Sequence, residues 1–181
     1  MTWVWDLGST FRWEMLVTYI KASDEIQFEV DVLDNTYVSI GFGRDMYNVD
    51  MIAWHGLGAN SYAADYWSTR NDTPKVDNRS DLSTTITQNS GRVKFVTRRK
   101  LDTGDTLEDY LIPLNQEIDI VWALHHRSGE WKEHTFKGYY STTFDETLGN
   151  PPVAADVVQP AVALEEADGG KVSTPADELE C

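Results

Sequence analysis

The sequence predicts an all-β protein folded as a two-sheet antiparallel sandwich, and three observations support this prediction. Apolar and polar residues alternate through most of the chain, as they do in strands that bury one face. Turn signals recur at intervals of roughly ten residues, which is typical of the short strands of sandwiches. No segment repeats its apolar residues with a helical period.

The predicted strands follow from that alternation. In the first, Phe11, Trp13 and Met15 alternate with polar side chains as far as residue 19. The second covers residues 26–32, and the others cover residues 37–42, 51–55, 64–67, 82–87, 93–98, 108–112, 118–125 and 131–136. Turns are predicted at Asp34-Asn35, Asn89-Ser90-Gly91 and Ser128-Gly129.

Composition divides the 181 residues into a folded domain and a tail. The seven Trp, eight Tyr and six Phe residues all fall at or before Phe144, whereas four of the six prolines follow it. Residues 151–181 contain seven acidic residues, one lysine and no aromatic residue. Such a segment buries too little apolar surface to offset its ordering entropy. We therefore predict a domain at residues 1–150 and an acidic Pro/Ala/Glu-rich tail or linker, disordered, at 151–181.

Charge and hydropathy exclude some functions. The formal net charge is −15, which opposes binding to nucleic acid because such binding depends on cationic contacts to phosphates. No apolar run approaches the roughly 20 residues of a membrane-spanning helix. The first residues, Met1 to Asp6, are typical of a folded domain and not of a signal peptide. The single cysteine, Cys181, has no partner for an internal disulfide.

Two further residues stand out for their chemistry. Met46 lies in a polar loop between two predicted strands, an unusual place for a core methionine. His134 lies near the end of the last predicted hairpin, where a solvent-facing histidine would also be ordinary. A thioether and an imidazole on opposite sides of a haem iron make a low-spin electron carrier. No Cys-x-x-Cys-His sequence is present, so such a haem would be bound non-covalently.

An ordered series of motifs connects these residues to a known family. The series is Gly41-Phe42-Gly43, Met46, Asp50-Met51-Ile52, Asp65-Tyr66-Trp67-Ser68-Thr69, Pro74-Lys75-Val76-Asp77, Asp81-Leu82, the run from Phe95 to Asp105, Ile120-Val121-Trp122-Ala123 and His134. It resembles the DOMON domain, the type found at the N-terminal side of dopamine β-monooxygenase and in the cytochrome domain of cellobiose dehydrogenase. The resemblance covers roughly residues 3–145 and implies an immunoglobulin-like β-sandwich.

The resemblance also implies a function. Haem-binding members hold haem b between a methionine and a histidine at the positions of Met46 and His134, and Arg44 would suit a haem propionate by charge and position. It implies a one-electron carrier and not an enzyme, located outside the cytoplasm. The redox partner would be a flavin dehydrogenase or a membrane cytochrome reductase domain. The adjacent His125-His126 pair departs from the family pattern and offers rival imidazoles.

Alternative interpretations remain open. A haem-free carbohydrate-binding or protein-interaction module would use the same sandwich, with Tyr47, Tyr62, Tyr139 and Tyr140 as candidate sugar-stacking residues. Trp54, Tyr66, Trp67, Trp122 and Trp131 are candidate walls of a haem pocket or ordinary core residues. Asp50 and the Asp102-Thr103-Gly104-Asp105 run would suit calcium or acid–base chemistry, but the run fits a strand-end turn better.

Overall fold

The computed structural model describes residues 2–6 and 12–146, which form two antiparallel sheets packed as a β-sandwich. One sheet has five strands, in the order β1-β2-β3-β9-β8: Thr2–Asp6, Arg12–Ile20, Glu25–Leu33, Arg92–Lys100 and Ser83–Asn89. The other has six, in the order β11-β10-β4-β5-β6-β7: Phe136–Thr143, Glu117–His125, Thr36–Phe42, Val49–Gly56, Tyr62–Ser68 and Lys75–Val76. The predicted all-β sandwich is confirmed.

Buried and partly exposed residues alternate along the strands, and the buried ones form the main core between the two sheets. In β3, for example, Ile26, Phe28 and Val30 are buried and the residues between them are partly exposed. Trp54 of the six-stranded sheet packs 6.0 Å from the ring of Phe28 and donates a hydrogen bond from Nε1 to Thr97 Oγ1 of the facing sheet, at 2.9 Å. This bond satisfies a buried indole that would otherwise be costly, and it fixes the register of one sheet over the other.

Two predicted turns are built as expected. Ser90 and Gly91 both have positive φ, 48° and 81°, as the tightest hairpin turns between twisted strands require. Asn35 has a φ of 59° in the turn that follows β3. Gly91 and Asn35 are residue types that tolerate the left-handed region. Gly104, in the turn after Asp102, has a φ of 78° and donates its N–H to the Asp102 carboxylate, which confirms the structural role predicted for that run.

Two predicted strands are wrong. Residues 108–112 form no strand, because side chains bind their backbone: Tyr110 N donates to Asp50 Oδ2 at 2.7 Å, and Tyr110 O accepts from Arg99 Nη2 at 3.1 Å. Residues 131–135 lie in the β10–β11 loop, and the strand occupies residues 136–143 instead. The short strands β1 and β7 were not predicted.

The tail predicted at residues 151–181, together with Cys181, lies outside the described residues. Within residues 2–6 and 12–146, no helix has the length and apolar character needed to cross a bilayer.

Candidate functional site

The candidate site lies on the outer face of the six-stranded sheet, the face turned away from the five-stranded sheet. Val38, Ile40 and Phe42 of β4 belong to the core between the sheets, so the alternate residues Tyr37, Ser39 and Gly41 point outward. The same reasoning assigns an outer face to β5, β6, β10 and β11. Strand pairing then arranges the outward residues in rows that cross the sheet.

The central row consists of small side chains. Ala123, Ser39, Ala53 and Ala64 are paired in turn across β10, β4, β5 and β6. Ser39 and Ala53 are fully buried although they face away from the main core. The β10–β11 loop (residues 126–135) therefore covers part of this row, and Trp131 of that loop packs against Ala53 and its neighbours. Small residues at four successive positions make a shallow trough in the sheet surface, and the loop fills the part of it above Ser39 and Ala53.

The row on one side of the trough is apolar. It contains Val121, Gly41, Met51 and Tyr66, again paired in turn across the four strands. A Cβ at Gly41 would lie 3.0 Å from Val121 Cγ1 and 3.1 Å from Met51 Cγ. The glycine therefore allows these two side chains to close over the strand and form an apolar border.

The row on the other side is aromatic and contains two imidazoles. It consists of His125, Tyr37, His55 and Tyr62. His55 stacks on Tyr62 with ring centroids 4.4 Å apart, and its Nδ1 donates to the Gly129 carbonyl at 2.6 Å. Burial lowers the pKa of His55, and so the ring is neutral at neutral pH.

The β10–β11 loop is attached to this aromatic row at several points. The Tyr37 hydroxyl donates to the Lys132 carbonyl at 2.6 Å, in addition to the His55–Gly129 bond. The Trp131 ring lies 4.8 Å from that of Tyr37 and 5.1 Å from that of Tyr66. The loop is thus held over the outer face and does not extend into solvent.

His134 lies at the far end of this loop and is half-buried. Burial lowers the pKa of His134, the charge of Lys137 lowers it further, and Glu133 opposes the shift. A neutral imidazole is the form that binds a metal. The next residue, Thr135, donates its backbone N–H to the Leu124 carbonyl at 2.8 Å, which fixes the chain on one side of His134.

Met46 lies in the β4–β5 loop (residues 43–48), at the opposite end of the same face. Its side chain is half-buried, and its carbonyl accepts a hydrogen bond from Ser68 Oγ at 2.8 Å. Ser68 pairs with Val49 in the outward register, so this bond draws the loop toward the outer face. β4 has seven residues, so the two loops begin about 20 Å apart. One iron shared by Met46 and His134 requires both side chains to reach inward over the trough.

Arg44 is exposed in the same β4–β5 loop. Its Nε lies 2.9 Å from Asp119 Oδ2, and its guanidinium lies 5.7 Å from the centre of the Tyr139 ring. Both partners belong to the outer face of β10 and β11. A polar and charged border is therefore present at this corner of the face.

The candidate pocket walls divide between the two faces. Trp54 and Trp122 belong to the main core, and Trp67 pairs with Asp50 in the inward register. Tyr66 and Trp131 border the trough on the outer face. Of the five aromatic residues considered as walls, these two are therefore in position to contact a flat ligand there.

The rival histidines lie side by side, with ring centroids 6.1 Å apart and an angle of 28° between the ring planes. His125 is on the outer face, where its ring stacks on Tyr37 at 6.0 Å and its Nδ1 lies 2.9 Å from the Glu133 carbonyl. The ring of His126, just beyond β10, lies 5.9 Å from that of Phe136. Because β10 ends at His125, strand alternation does not assign His126 to the opposite face.

The candidate sugar-stacking residues also differ. Tyr47 and Tyr139 are exposed, but Tyr62 is half-buried against His55. Tyr140 packs against the main core, and burial raises its pKa well above the ordinary value, so its assignment as an exposed aromatic residue was wrong.

Sequence reasoning missed the small-residue row and Gly129. A Cβ at Gly129 would clash with the Gly56 carbonyl oxygen, which shows how closely the loop approaches the end of β5. Ser39, Ala53, Ala64 and Ala123 each occupy the outward position of a predicted strand. Their small size was the available signal, but their alignment depends on the pairing of four strands.

Comparison with known proteins agrees with this architecture. A family model described as the DOMON domain matches residues 12–125. The fold is similar to the cytochrome domain of Myriococcum thermophilum cellobiose dehydrogenase, with a TM-score of 0.64 and 14% identity over 83% of this chain and 85% of that one. It is also similar to the cytochrome b domain of pyranose dehydrogenase from Coprinopsis cinerea, with a TM-score of 0.49 and 16% identity over 72% and 75% of the two chains. No curated protein sequence matches the chain.

Proposed function

Because the chain belongs to the DOMON domain family, we propose that it is a haem b-binding electron-transfer domain in which Met46 and His134 are the axial ligands. The observation that carries the proposal is the outer face of the six-stranded sheet. A shallow trough of small residues lies between two loops, one carrying a methionine and the other a histidine. A flat, apolar macrocycle suits such a trough, and the fold is that of a known cytochrome domain.

The residues present fit this cofactor chemically. The lowered pKa of His134 keeps its imidazole in the metal-binding form at neutral pH. Tyr66 and Trp131 offer aromatic walls, and Arg44 offers a cation at the edge for a propionate. To bind a propionate, Arg44 would have to share or break its ion pair with Asp119. Haem with two axial protein ligands supplies reversible one-electron chemistry without an open coordination position.

The protein contributes rigidity. The loop that carries His134 is held by the Gly129, Lys132 and Thr135 backbone bonds, and the loop that carries Met46 is held by Ser68. Ligands fixed in this way would change position little between the two oxidation states. The domain is thus a carrier, and any catalysis belongs to a partner domain or chain.

The proposed partner is a flavin dehydrogenase or a membrane cytochrome reductase domain, and the proposed location is outside the cytoplasm. Both follow from the family resemblance. The strong negative charge favours a partner with a basic docking surface, because complementary charge accelerates encounter. Such an association should weaken as salt is added.

The test is the absorption spectrum of the purified chain after haem is added, recorded oxidised and then reduced with dithionite. Sharp reduced bands typical of six-coordinate low-spin haem are expected in the wild type. Met46→Leu and His134→Gln should each lose them. Met51→Leu and His125→Gln are the matched controls, since they alter the same residue types on the same face, and they should keep the low-spin spectrum.

A different result would redirect the assignment. If His125→Gln abolishes the spectrum and His134→Gln does not, His125 is the ligand. If the wild type shows only free haem, the electron carrier is refuted. The haem-free binding module then becomes the function to test, first with sugars and with Tyr47 and Tyr139 as the exposed aromatic residues.

A further inference from the structure

A second cluster of polar residues lies on the inward side of the six-stranded sheet, away from the trough. Asp50 of β5, Asp65 of β6 and Asp109 of the β9–β10 loop bring their carboxylate oxygens within 4.8 Å of one another. Asp50 and Asp65 are 1% and 0% exposed, and the Asp109 side chain is 2% exposed. These carboxylates belong to three separate elements, so only the folded chain brings them together.

One buried cation faces these three carboxylates. Arg99 Nη2 lies 2.5 Å from Asp50 Oδ2 and 3.4 Å from Asp109 Oδ1. A single guanidinium leaves two negative charges uncompensated if all three carboxylates are ionised. Charges buried without partners are very unfavourable, so the cluster needs further positive charge or bound protons.

Asp65 and Asp109 both have side-chain oxygens without hydrogen-bond partners, and Asp109 has the Arg99 ion pair whereas no ion pair within the described residues reaches Asp65. Neither side-chain oxygen of Asp65 or of Asp109 accepts a hydrogen bond, and Asp50 Oδ1 accepts none either. Buried polar atoms nearly always have partners, so these oxygens have the free acceptor capacity to ligate a cation. Burial also raises the pKa of Asp65 to about 8, and the nearby Asp50 charge adds to the shift. Protons and a metal ion would compete for these oxygens.

We propose that Asp50, Asp65 and Asp109 bind a calcium ion between the β-sheets, beside Arg99. Calcium accepts six to eight oxygen ligands at about 2.3–2.6 Å, so oxygens on opposite sides of the ion lie roughly 4.6–5.2 Å apart. One oxygen from each of the three carboxylates lies within 4.8 Å of the other two, which suits that span. Magnesium prefers shorter contacts and keeps several waters, which a fully buried cluster accommodates poorly.

Two further aspartates, Asp77 and Asp81, lie close enough to interact electrostatically with the cluster. Asp77 is 7% exposed, and its N–H donates to the Asp65 carbonyl at 3.0 Å. The Asp81 side chain is 20% exposed and lies 3.3 Å from Arg79 Nε. Asp77 and Asp81 are thus more exposed than the three buried carboxylates, and their negative charge adds to the attraction for a divalent cation.

The experiment is calcium titration of the full chain at pH 8 after treatment with a chelator. One saturable site per chain is expected by calorimetry. At calcium concentrations about a hundredfold above the dissociation constant, the unfolding temperature should rise by about 5–10 °C. Magnesium chloride at the same ionic strength should give a much smaller rise.

Asp65→Asn is the decisive variant because it removes a charge while keeping the side-chain shape. It should lose calcium binding and the calcium-dependent rise. Without calcium it should unfold at the same temperature as the wild type or above it, since it relieves buried repulsion. Asp31→Asn, an exposed carboxylate on β3 that pairs with Arg92, is the control and should bind calcium normally.

Three results would overturn the inference: no saturable calcium binding by the wild type, an equal temperature rise with magnesium, or an unchanged calcium effect in Asp65→Asn. The inference is independent of the haem proposal, since the two sites occupy opposite faces of the sheet. Asp65→Asn should leave the haem spectrum unchanged, so the two proposals fail separately.

Discussion

His55 connects the outer face of the sheet to the loop above it through both ring nitrogens. Nδ1 donates to the Gly129 carbonyl, and Nε2 lies 3.2 Å from the Tyr66 hydroxyl. Both bonds use the neutral ring, and burial lowers the pKa of His55 in the folded protein, with Gly129 and Glu130 opposing the shift. The unfolded chain binds a proton at higher pH than the folded chain does.

This residue therefore predicts an acid-sensitive fold. As pH falls from neutral through the unfolded-state pKa of about 6.5, His55 takes up protons in the unfolded state first, and stability decreases. His55→Gln removes that titration and should show a smaller loss of unfolding free energy between pH 7.5 and 5.5. Urea denaturation at both pH values measures it. Equal losses in the two proteins would contradict the assignment.

Residue chemistry singles out the candidate ligands, but it does not predict where they lie relative to one another. Met46 and His134 stand out because few side chains in the sequence suit an iron. The small residues of the central row are chemically inconspicuous, and only strand pairing aligns them. Asp65 entered the sequence analysis only as part of a family motif, because an aspartate in a strand is conspicuous for its chemistry only once its burial is known.

Among the elements, the β10–β11 loop is the one on which the candidate haem site depends. Gly129 approaches the end of β5 so closely that a Cβ would clash with a backbone carbonyl, and backbone cannot move aside as a flexible side chain can. Gly129→Ala should therefore displace the loop and the His134 that it carries.

The expected result is weaker haem binding, by tenfold or more, with a smaller effect on the unfolding of the haem-free chain. This follows because small misplacements of a ligand are costly. Haem titration followed by absorbance measures it. Lys132→Ala is the matched control, since Tyr37 binds the carbonyl of that residue and not its side chain. Unaltered haem affinity in Gly129→Ala would show that the loop does not position the ligand.

Alternation in the sequence predicted the long strands because each buries one face, and the pattern of β3 matches its burial directly. The strand prediction failed where side chains form the backbone hydrogen bonds that a neighbouring strand would otherwise form. Residues 108–112 alternate in the manner of a strand, but Asp50 and Arg99 bind Tyr110 instead. Residues 131–135 are held by contacts of the Trp131 ring, which no local pattern reveals.

For the whole molecule, the extent of the folded unit is testable by truncation. Phe144 is fully buried in the main core, and its carbonyl accepts the Asn115 N–H at 2.6 Å. Residues 151–181 carry no aromatic side chain. A chain that ends at residue 150 should therefore unfold at the same temperature as the full chain and give the same haem spectrum.

A chain that ends at residue 142 is the contrasting variant. Loss of Phe144 should lower the unfolding free energy by roughly 3–5 kcal/mol, the usual effect of removing a buried phenylalanine. Denaturant titration of the three chains compares them. If the chain that ends at residue 150 is destabilised as much as the chain that ends at residue 142, the domain boundary at residue 150 is wrong.

The candidate haem face lies outside the sandwich, whereas the main core lies inside it. Met46 and His134 contribute nothing to that core, so replacing them would remove a ligand without removing a structural support. Side chains on the outer face can be exchanged without disturbing the packing between the two sheets, so similarity of fold alone does not specify which ligand a domain of this shape binds.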